Sequence, residues 1–201
     1  MRPQFSLIIF ILLSINVFGQ TIQSWNTINV KGKLSDKFQI AVEPESRFSD
    51  KLEYFHLDFG LIYLLNKKFK IGGYYREIFE IKSELRVREI RPHIDIFYTV
   101  SRSFKIRICN EYQIKELTNN NWRIRFRPTY KLNINKWFFP FIQTEPFFNA
   151  KGFTRNRFNI GPGFVIDKFW LKPGYMLQTD LKNKRVKQTH IFWINAGIIF
   201  N

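Results

Sequence analysis

The sequence predicts an all-β chain: an antiparallel transmembrane β-barrel of ten to twelve strands behind a cleaved N-terminal signal peptide. Three observations predict it. Apolar and polar residues alternate with period two in roughly eleven separate stretches, the mark of strands whose two faces meet different surroundings. Short turns alternate with longer polar connections. Aromatic residues make up 18% of the chain, with 23 Phe, as expected where strands meet lipid and head groups. The mean hydropathy of −0.24 looks soluble, but in a barrel the polar interior offsets the lipid-facing residues.

Residues 1–19 read as the signal peptide. Arg2 supplies the positive start, Phe5–Phe18 the apolar stretch, and Val17-Phe18-Gly19 a cleavage site before Gln20. The apolar run is short for a membrane-spanning helix, which needs about 20 residues. Residues 20–201 then form the barrel domain. Cys109 is the sole cysteine, which excludes an intramolecular disulfide and a cysteine-based metal cluster; it reads as an inert small residue.

The strands follow in order. Thr21–Lys31 is the first. Lys37–Phe48 turns Phe38, Ile40, Val42, Pro44 and Phe48 outward and Gln39, Glu43, Glu45 and Arg47 inward. Tyr54–Leu65 has Phe55, Leu57, Phe59, Leu61 and Tyr63 outward against His56, Asp58 and Gly60. Phe69–Glu80 puts Tyr74 and Arg76 inside. Glu84–Tyr98 puts Glu89, Arg91, His93 and Asp95 inside and Ile90, Pro92, Ile94 and Ile96 outside. Phe104–Glu116 carries Lys105, Arg107, Glu111 and Gln113 inward, with Asn110 as a polar exception on its outer face. Trp122–Ile134 is the clearest copy: Arg123, Arg125 and Arg127 lie on one face, Trp122, Ile124, Phe126 and Tyr130 on the other. Trp137–Phe148 turns Gln143 and Glu145 inward, Arg155–Ile166 turns Arg155, Arg157 and Asn159 inward, and Phe169–Asp180 and Gln188–Phe200 complete the set. Segments of eleven to thirteen residues at about 3.3 Å each, tilted roughly 40°, rise about 28–33 Å, enough to cross the apolar band.

Leu34-Ser35-Asp36, Asn66-Lys67-Lys68, Ser101-Arg102-Ser103, Asn135-Lys136 and Asp167-Lys168 read as tight turns. Each leads into an aromatic: Phe38, Phe69, Phe104, Trp137 and Phe169. Ser49–Glu53, Ile81–Ser83, Leu117–Asn121, Asn149–Thr154 and Leu181–Lys187 read as the longer loops. Eleven segments conflict with the even strand number of bacterial barrels, so ten or twelve wall strands are expected. Seven prolines fall inside strands on the outward parity: Pro44, Pro92, Pro128, Pro140, Pro146, Pro162 and Pro173. Each removes a ladder donor, and bulges are the expected remedy.

With these motifs in place the chain resembles the Gram-negative outer-membrane barrels catalogued as domain of unknown function 2490. The resemblance rests on Trp25, on Glu45-Ser46-Arg47-Phe48, on the Arg123, Arg125, Arg127 row, on Glu145-Pro146-Phe147-Phe148, and on Asn156-Arg157-Phe158 followed by Gly161. It spans essentially the whole chain after the leader. It implies an outer-membrane location and a barrel fold, and the family carries no activity to transfer. Phe200 resembles the terminal aromatic read by the barrel assembly machinery, with Asn201 after it as a departure.

The formal net charge is +16. Its bases are spread over strand interiors rather than gathered on one helix or loop, which argues against nucleic acid as partner. The expected interior is a charge network of Glu43, Glu45, Arg47, Asp58, Arg76, Glu89, Arg91, Asp95, Arg107, Glu111, Arg123, Arg125, Arg127, Glu145 and Arg157. A charge in a narrow lumen must be paired or hydrated, so structural Arg–carboxylate pairing is the first reading and a constricted anion-favouring pore the second. His56-Leu57-Asp58 and His93-Ile94-Asp95 raise the rival of an outer-membrane lipid-modifying enzyme, which requires a serine in reach of His56, His93 or His190. A soluble basic β-protein that binds nucleic acid is the remaining rival. The expected surroundings are outer-membrane lipid and lipopolysaccharide, with the barrel assembly machinery during biogenesis; a monomer with no enzymatic activity, no cofactor and no metal is expected.

Overall fold

The computed structural model describes residues 21–82, 85–182 and 185–200; the expected leader lies outside them. Within these residues the chain forms eleven strands: Thr21–Lys33 (β1), Phe38–Phe48 (β2), Leu52–Leu64 (β3), Phe69–Lys82 (β4), Leu85–Thr99 (β5), Phe104–Lys115 (β6), Asn121–Lys131 (β7), Phe138–Asn149 (β8), Gly152–Ile166 (β9), Phe169–Lys182 (β10) and Arg185–Phe200 (β11). Each pairs antiparallel with its neighbour in sequence, and β1 closes the barrel against β11.

That closing pair is parallel, which overturns the expectation of an even count. The first segment is a full wall strand, paired with β2 on one side and with β11 from Thr21↔Thr189 to Gly32↔Phe200 on the other. An odd number of up-and-down strands can close only through one parallel seam. That seam still satisfies both edge ladders, and satisfaction of the backbone is what apolar surroundings demand. Residues of equal parity meet across it, Trp25 with Trp193 and Thr27 with Asn195, so the inside and outside of the wall stay continuous. Thr21 and Phe200 therefore lie at opposite ends of the barrel.

The wall is apolar outside. Phe59, Ile94, Ile124, Ile160 and Phe192 are all exposed, while their sequence neighbours Asp58, His93, Asp95, Arg125, Asn159 and Ile191 are buried. This inverts the usual placement of charge and hydrocarbon.

The two ends differ in turn chemistry rather than in loop length. Residues 34–37, 65–68, 100–103, 132–137 and 167–168 connect strands at the end we call the turn end. Four of these connections repeat one device. The side-chain oxygens of Ser35, Asn66, Ser101 and Asn135 accept backbone N–H bonds from the residues two and three positions on, the latter being Phe38, Phe69, Phe104 and Phe138. Short polar side chains capture turn amides in this way. In the fourth copy the aromatic in register is thus Phe138, not Trp137, and Leu132 and Ile134 lie past the end of β7. The fifth turn places Asp167 at φ 52°, a conformation that Asp tolerates. At the opposite end Ser49–Glu53 and Leu117–Asn121 hold connections, residues 49–51 and 116–120, whereas the other stretches read as longer loops are largely strand: residues 150–151 connect β8 to β9, and pairing runs out to Lys82↔Leu85 and Lys182↔Arg185. Their polar composition marks strand ends that stand in water, not loops.

Most of the prolines are accommodated without bulges. Pro92 pairs with Tyr75 of β4, but the β5–β6 ladder skips from Ile90↔Ile114 to His93↔Glu111. Pro128 pairs with Ile106, and the β7–β8 ladder skips from Arg125↔Phe147 to Thr129↔Gln143, a gap that also holds Pro146. Pro44, Pro162 and Pro173 repeat the arrangement. In antiparallel strands residues of one parity address one neighbour, so a missing N–H opens a single ladder and the register carries on across the gap. The two register shifts lie at Arg47/Phe48 and, just past Pro146, at Phe147/Phe148.

Candidate functional site

The interior charges are set by register. Glu43, Asp58, Arg76 and Arg91 lie in one row across β2, β3, β4 and β5. Asp58 accepts from Arg76 Nε at 3.1 Å, and Arg76 also stands 3.9 Å from Glu43. Arg91, beside Arg76 in that row, turns to Glu89 two residues away on its own strand and donates to it at 2.6 Å. Glu45 accepts from Arg47 at 2.7 Å and from the Thr27 hydroxyl at 3.0 Å. The Arg47 guanidinium is held between the rings of Trp25 and Tyr54, 3.7 and 3.8 Å from their centroids, which fixes the plane of its fork.

On the facing wall Arg107 and Arg127 are directly opposite in register. They turn away from each other: Arg107 Nε donates to Asp95 at 2.7 Å, and Arg127 donates to Glu145 through Nε at 3.0 Å and Nη2 at 2.7 Å. Glu111 pairs with Arg123 and lies 3.2 Å from Arg125 Nε. Arg125 reaches on to Glu145 at 3.5 Å and places Nη2 2.9 Å from Cys109 Sγ, so it links two carboxylates. Arg157 stands 3.7 Å from Glu145 and donates to Gln178 at 2.9 Å. Arg155 pairs with Asp180, to which Gln178 also donates.

Each of the fifteen residues named for the interior lies 3.9 Å or less from an oppositely charged side chain. The sequence placed Arg155 inward but did not reveal its pairing with Asp180, nor Gln178 and the rings that hold Arg47. Trp25 shares its parity with Gln23 and Thr27, which was the available sign that its indole faces inward.

The histidines do not form the pairs their spacing suggested. His56 Nδ1 meets the Tyr54 hydroxyl at 3.0 Å, with Glu43 and Glu45 at 3.8 and 3.7 Å. Asp58 instead has His93 Nε2 at 3.6 Å from the neighbouring wall. His93 Nδ1 lies 3.2 Å from the Arg91 carbonyl, and its ring stacks on Tyr74 at 4.8 Å. His190 meets the Tyr175 hydroxyl on the outer face at 2.6 Å. Among the described residues the hydrogen-bond partners of these histidines include no serine. His93, Asp95 and Cys109 come close enough together to share an ion, but Arg107 and Arg125 already occupy Asp95 and Cys109, a cationic setting opposed to a metal.

Aromatic rings pack into the same interior over glycines of the next strand. Tyr74 covers Gly60, Phe139 covers Gly163, Trp193 covers Gly174 and Trp170 covers Gly197. A methyl group on Gly163 would stand 2.3 Å from the Phe139 ring. Gly163 relieves interior crowding in this way.

Cavities lie at both ends of the interior. One of about 720 Å³ opens at the end opposite the turns, between Arg91, Arg123 and Arg155. Another, of about 380 Å³, opens at the turn end, between Lys31, Lys105, Lys131 and Lys172. Trp25 and Arg157 line both. Between them lies the most deeply buried charge: Asp95 is 0% exposed, Glu111 1%, Glu145 2% and Arg125 3%.

Residues 22–189 match the family described as "Protein of unknown function (DUF2490)". Among solved structures the barrel is similar to the NanC porin, with a TM-score of 0.54 and 9% sequence identity, over 81% of this chain and 87% of that one. No curated protein matches the sequence.

Proposed function

The chain belongs to the DUF2490 family, and from that premise and the interior geometry we propose that it is an outer-membrane barrel with a closed, charge-filled interior. The observation that carries the reading is the inversion of the wall. Rings and branched chains such as Phe59, Ile94 and Phe192 face outward, and Asp95, Glu111, Arg125 and Glu145 are sealed within. An apolar girdle of this kind is stable only against lipid. The likeness to a porin fold supports the same reading. The ion pairs at mid-height fill the cross-section that a pore would need and hold the strands in register.

A planar-bilayer recording on the purified, refolded protein tests closure. The expected trace has no steady unit conductance. A stable anion-selective current, lost in Arg125→Ala or Arg127→Ala, overturns closure in favour of a narrow pore. That second reading is favoured by one observation, the excess of bases over carboxylates lining each cavity. Location is tested by cell fractionation. Extraction only with detergent and heat-modifiable gel migration are expected; recovery in the soluble periplasm sinks the membrane assignment.

A further inference from the structure

Arginine and lysine are treated differently inside this barrel. Each of the nine interior arginines from Arg47 to Arg157 has a carboxylate partner. Four lysines that line one cavity have none within salt-bridge distance among the described residues: the half-buried Lys31 on β1, Lys131 on β7 and Lys172 on β10, and the exposed Lys105 on β6. Strands from around the barrel bring them to one place, the cavity of about 380 Å³ at the turn end. They are near enough that Lys131, Lys31 and Lys105 all act electrostatically on Lys172.

The carboxylates lining that cavity are already engaged. Glu43 faces His56 and Arg76, Glu45 holds Arg47, and Glu145 holds Arg127 and Arg125. Partial compensation comes from aromatic faces: Lys131 Nζ stands 4.5 Å from the Phe139 centroid and Lys172 Nζ 4.6 Å from that of Trp170. Neutral donors, among them Thr129, Gln143 and Asn195, complete the lining. Convergent ammonium groups are point charges suited to compact oxyanions, and the volume falls within the usual range of small-molecule sites. Converged like charges with no carboxylate in salt-bridge contact attract an external counter-ion.

We infer that the turn-end cavity is a binding site for a compact multivalent oxyanion, of phosphate or polycarboxylate type, held by Lys31, Lys105, Lys131 and Lys172. The inference goes beyond the closed-barrel reading and does not rest on it, because the site is reached from the turn end whether or not the middle conducts.

The test uses the full refolded barrel in zwitterionic detergent, titrated at fixed ionic strength with inorganic pyrophosphate and with citrate. Tryptophan emission is the readout, since Trp193 lines the cavity and Trp170 lies against Lys172. A saturable change is expected. Lys131→Gln combined with Lys172→Gln is expected to weaken it by at least about tenfold, whereas Lys151→Gln, at the far end, leaves it unchanged. Lys31→Gln alone provides a milder variant should the double one not fold, with a loss of several-fold expected. Preference for pyrophosphate supports the site and assigns it to phosphates; preference for citrate supports it and assigns it to polycarboxylates. No saturable change with either probe, or equal affinity in the lysine variants, overturns the inference. A barrel that binds and also conducts refutes closure alone; a silent barrel that does not bind refutes the site alone.

Discussion

Glu145→Gln is the sharpest probe of the interior network. The carboxylate is 2% exposed and accepts from Arg127 at 3.0 and 2.7 Å, with Arg125 at 3.5 Å and Arg157 at 3.7 Å. The substitution keeps the shape and removes the charge, leaving three guanidinium groups facing a neutral amide. Removing one partner of a buried ion pair costs about 3–5 kcal/mol. Cavities on both sides admit water and relieve part of this, so the lower figure, about 3 kcal/mol, is expected. At a slope of about 2 kcal/mol/M the urea midpoint falls by roughly 1.5 M. The assay is reversible urea unfolding of the protein in phospholipid vesicles, followed by tryptophan emission. Adding Arg127→Gln to the variant removes one stranded cation and is expected to recover about 1 kcal/mol or more. A midpoint within about 0.3 M of the parent protein, or a double variant whose loss is the sum of the singles, refutes the reasoning. Asp36→Asn is the contrast: its pair with Lys33 stands in water at a turn, and no shift of the midpoint is expected.

Other perturbations read other parts of the wall. Trp25→Ala removes a 4% exposed indole that stands between the two cavities, so it is expected to cost about 3–5 kcal/mol and to give the silent barrel a measurable bilayer current. Gly163→Ala drives a methyl group into the Phe139 ring and is expected to cost about 1–3 kcal/mol; Phe139→Leu in the same background should return most of it, and a neutral Gly163→Ala refutes the ring-over-glycine account. Cys109 is 1% exposed, so maleimide labelling is expected only after unfolding in urea, and rapid labelling of the folded barrel refutes a sealed middle.

Much of the wall was legible in the sequence. A strand has one periodicity, and the row of Arg123, Arg125 and Arg127 against Trp122, Ile124 and Phe126 declares its two faces without any partner. The allotment of partners was less legible. Glu111 and Glu145 were foreseeable as neighbours of that row, because adjacent strands of a meander pair. The histidines were not: equal spacing in His56-Leu57-Asp58 and His93-Ile94-Asp95 suggested pairs along a strand, and the register joined His93 to Asp58 across the interior instead. Ile81–Ser83 and Leu181–Lys187 read as loops because composition reports wetness, not hydrogen bonding, and strand ends such as Ile81, Lys82 and Arg185 look like loops when they stand in water.

The sequence by itself determined which side chains face in and which face out, where the turns fall, and that charge would lie inside an apolar wall. These are local properties, carried by parity and by Ser, Asn and Asp at the turns. Only the tertiary structure decided that eleven strands close through a parallel β1–β11 seam, that prolines such as Pro92 and Pro128 open one ladder while the register carries on, and that the interior arginines are paired while Lys31, Lys105, Lys131 and Lys172 converge unpaired at the turn end. Those outcomes depend on stagger between strands far apart in the chain. Stagger is fixed by closure of the whole barrel, a constraint no single segment contains.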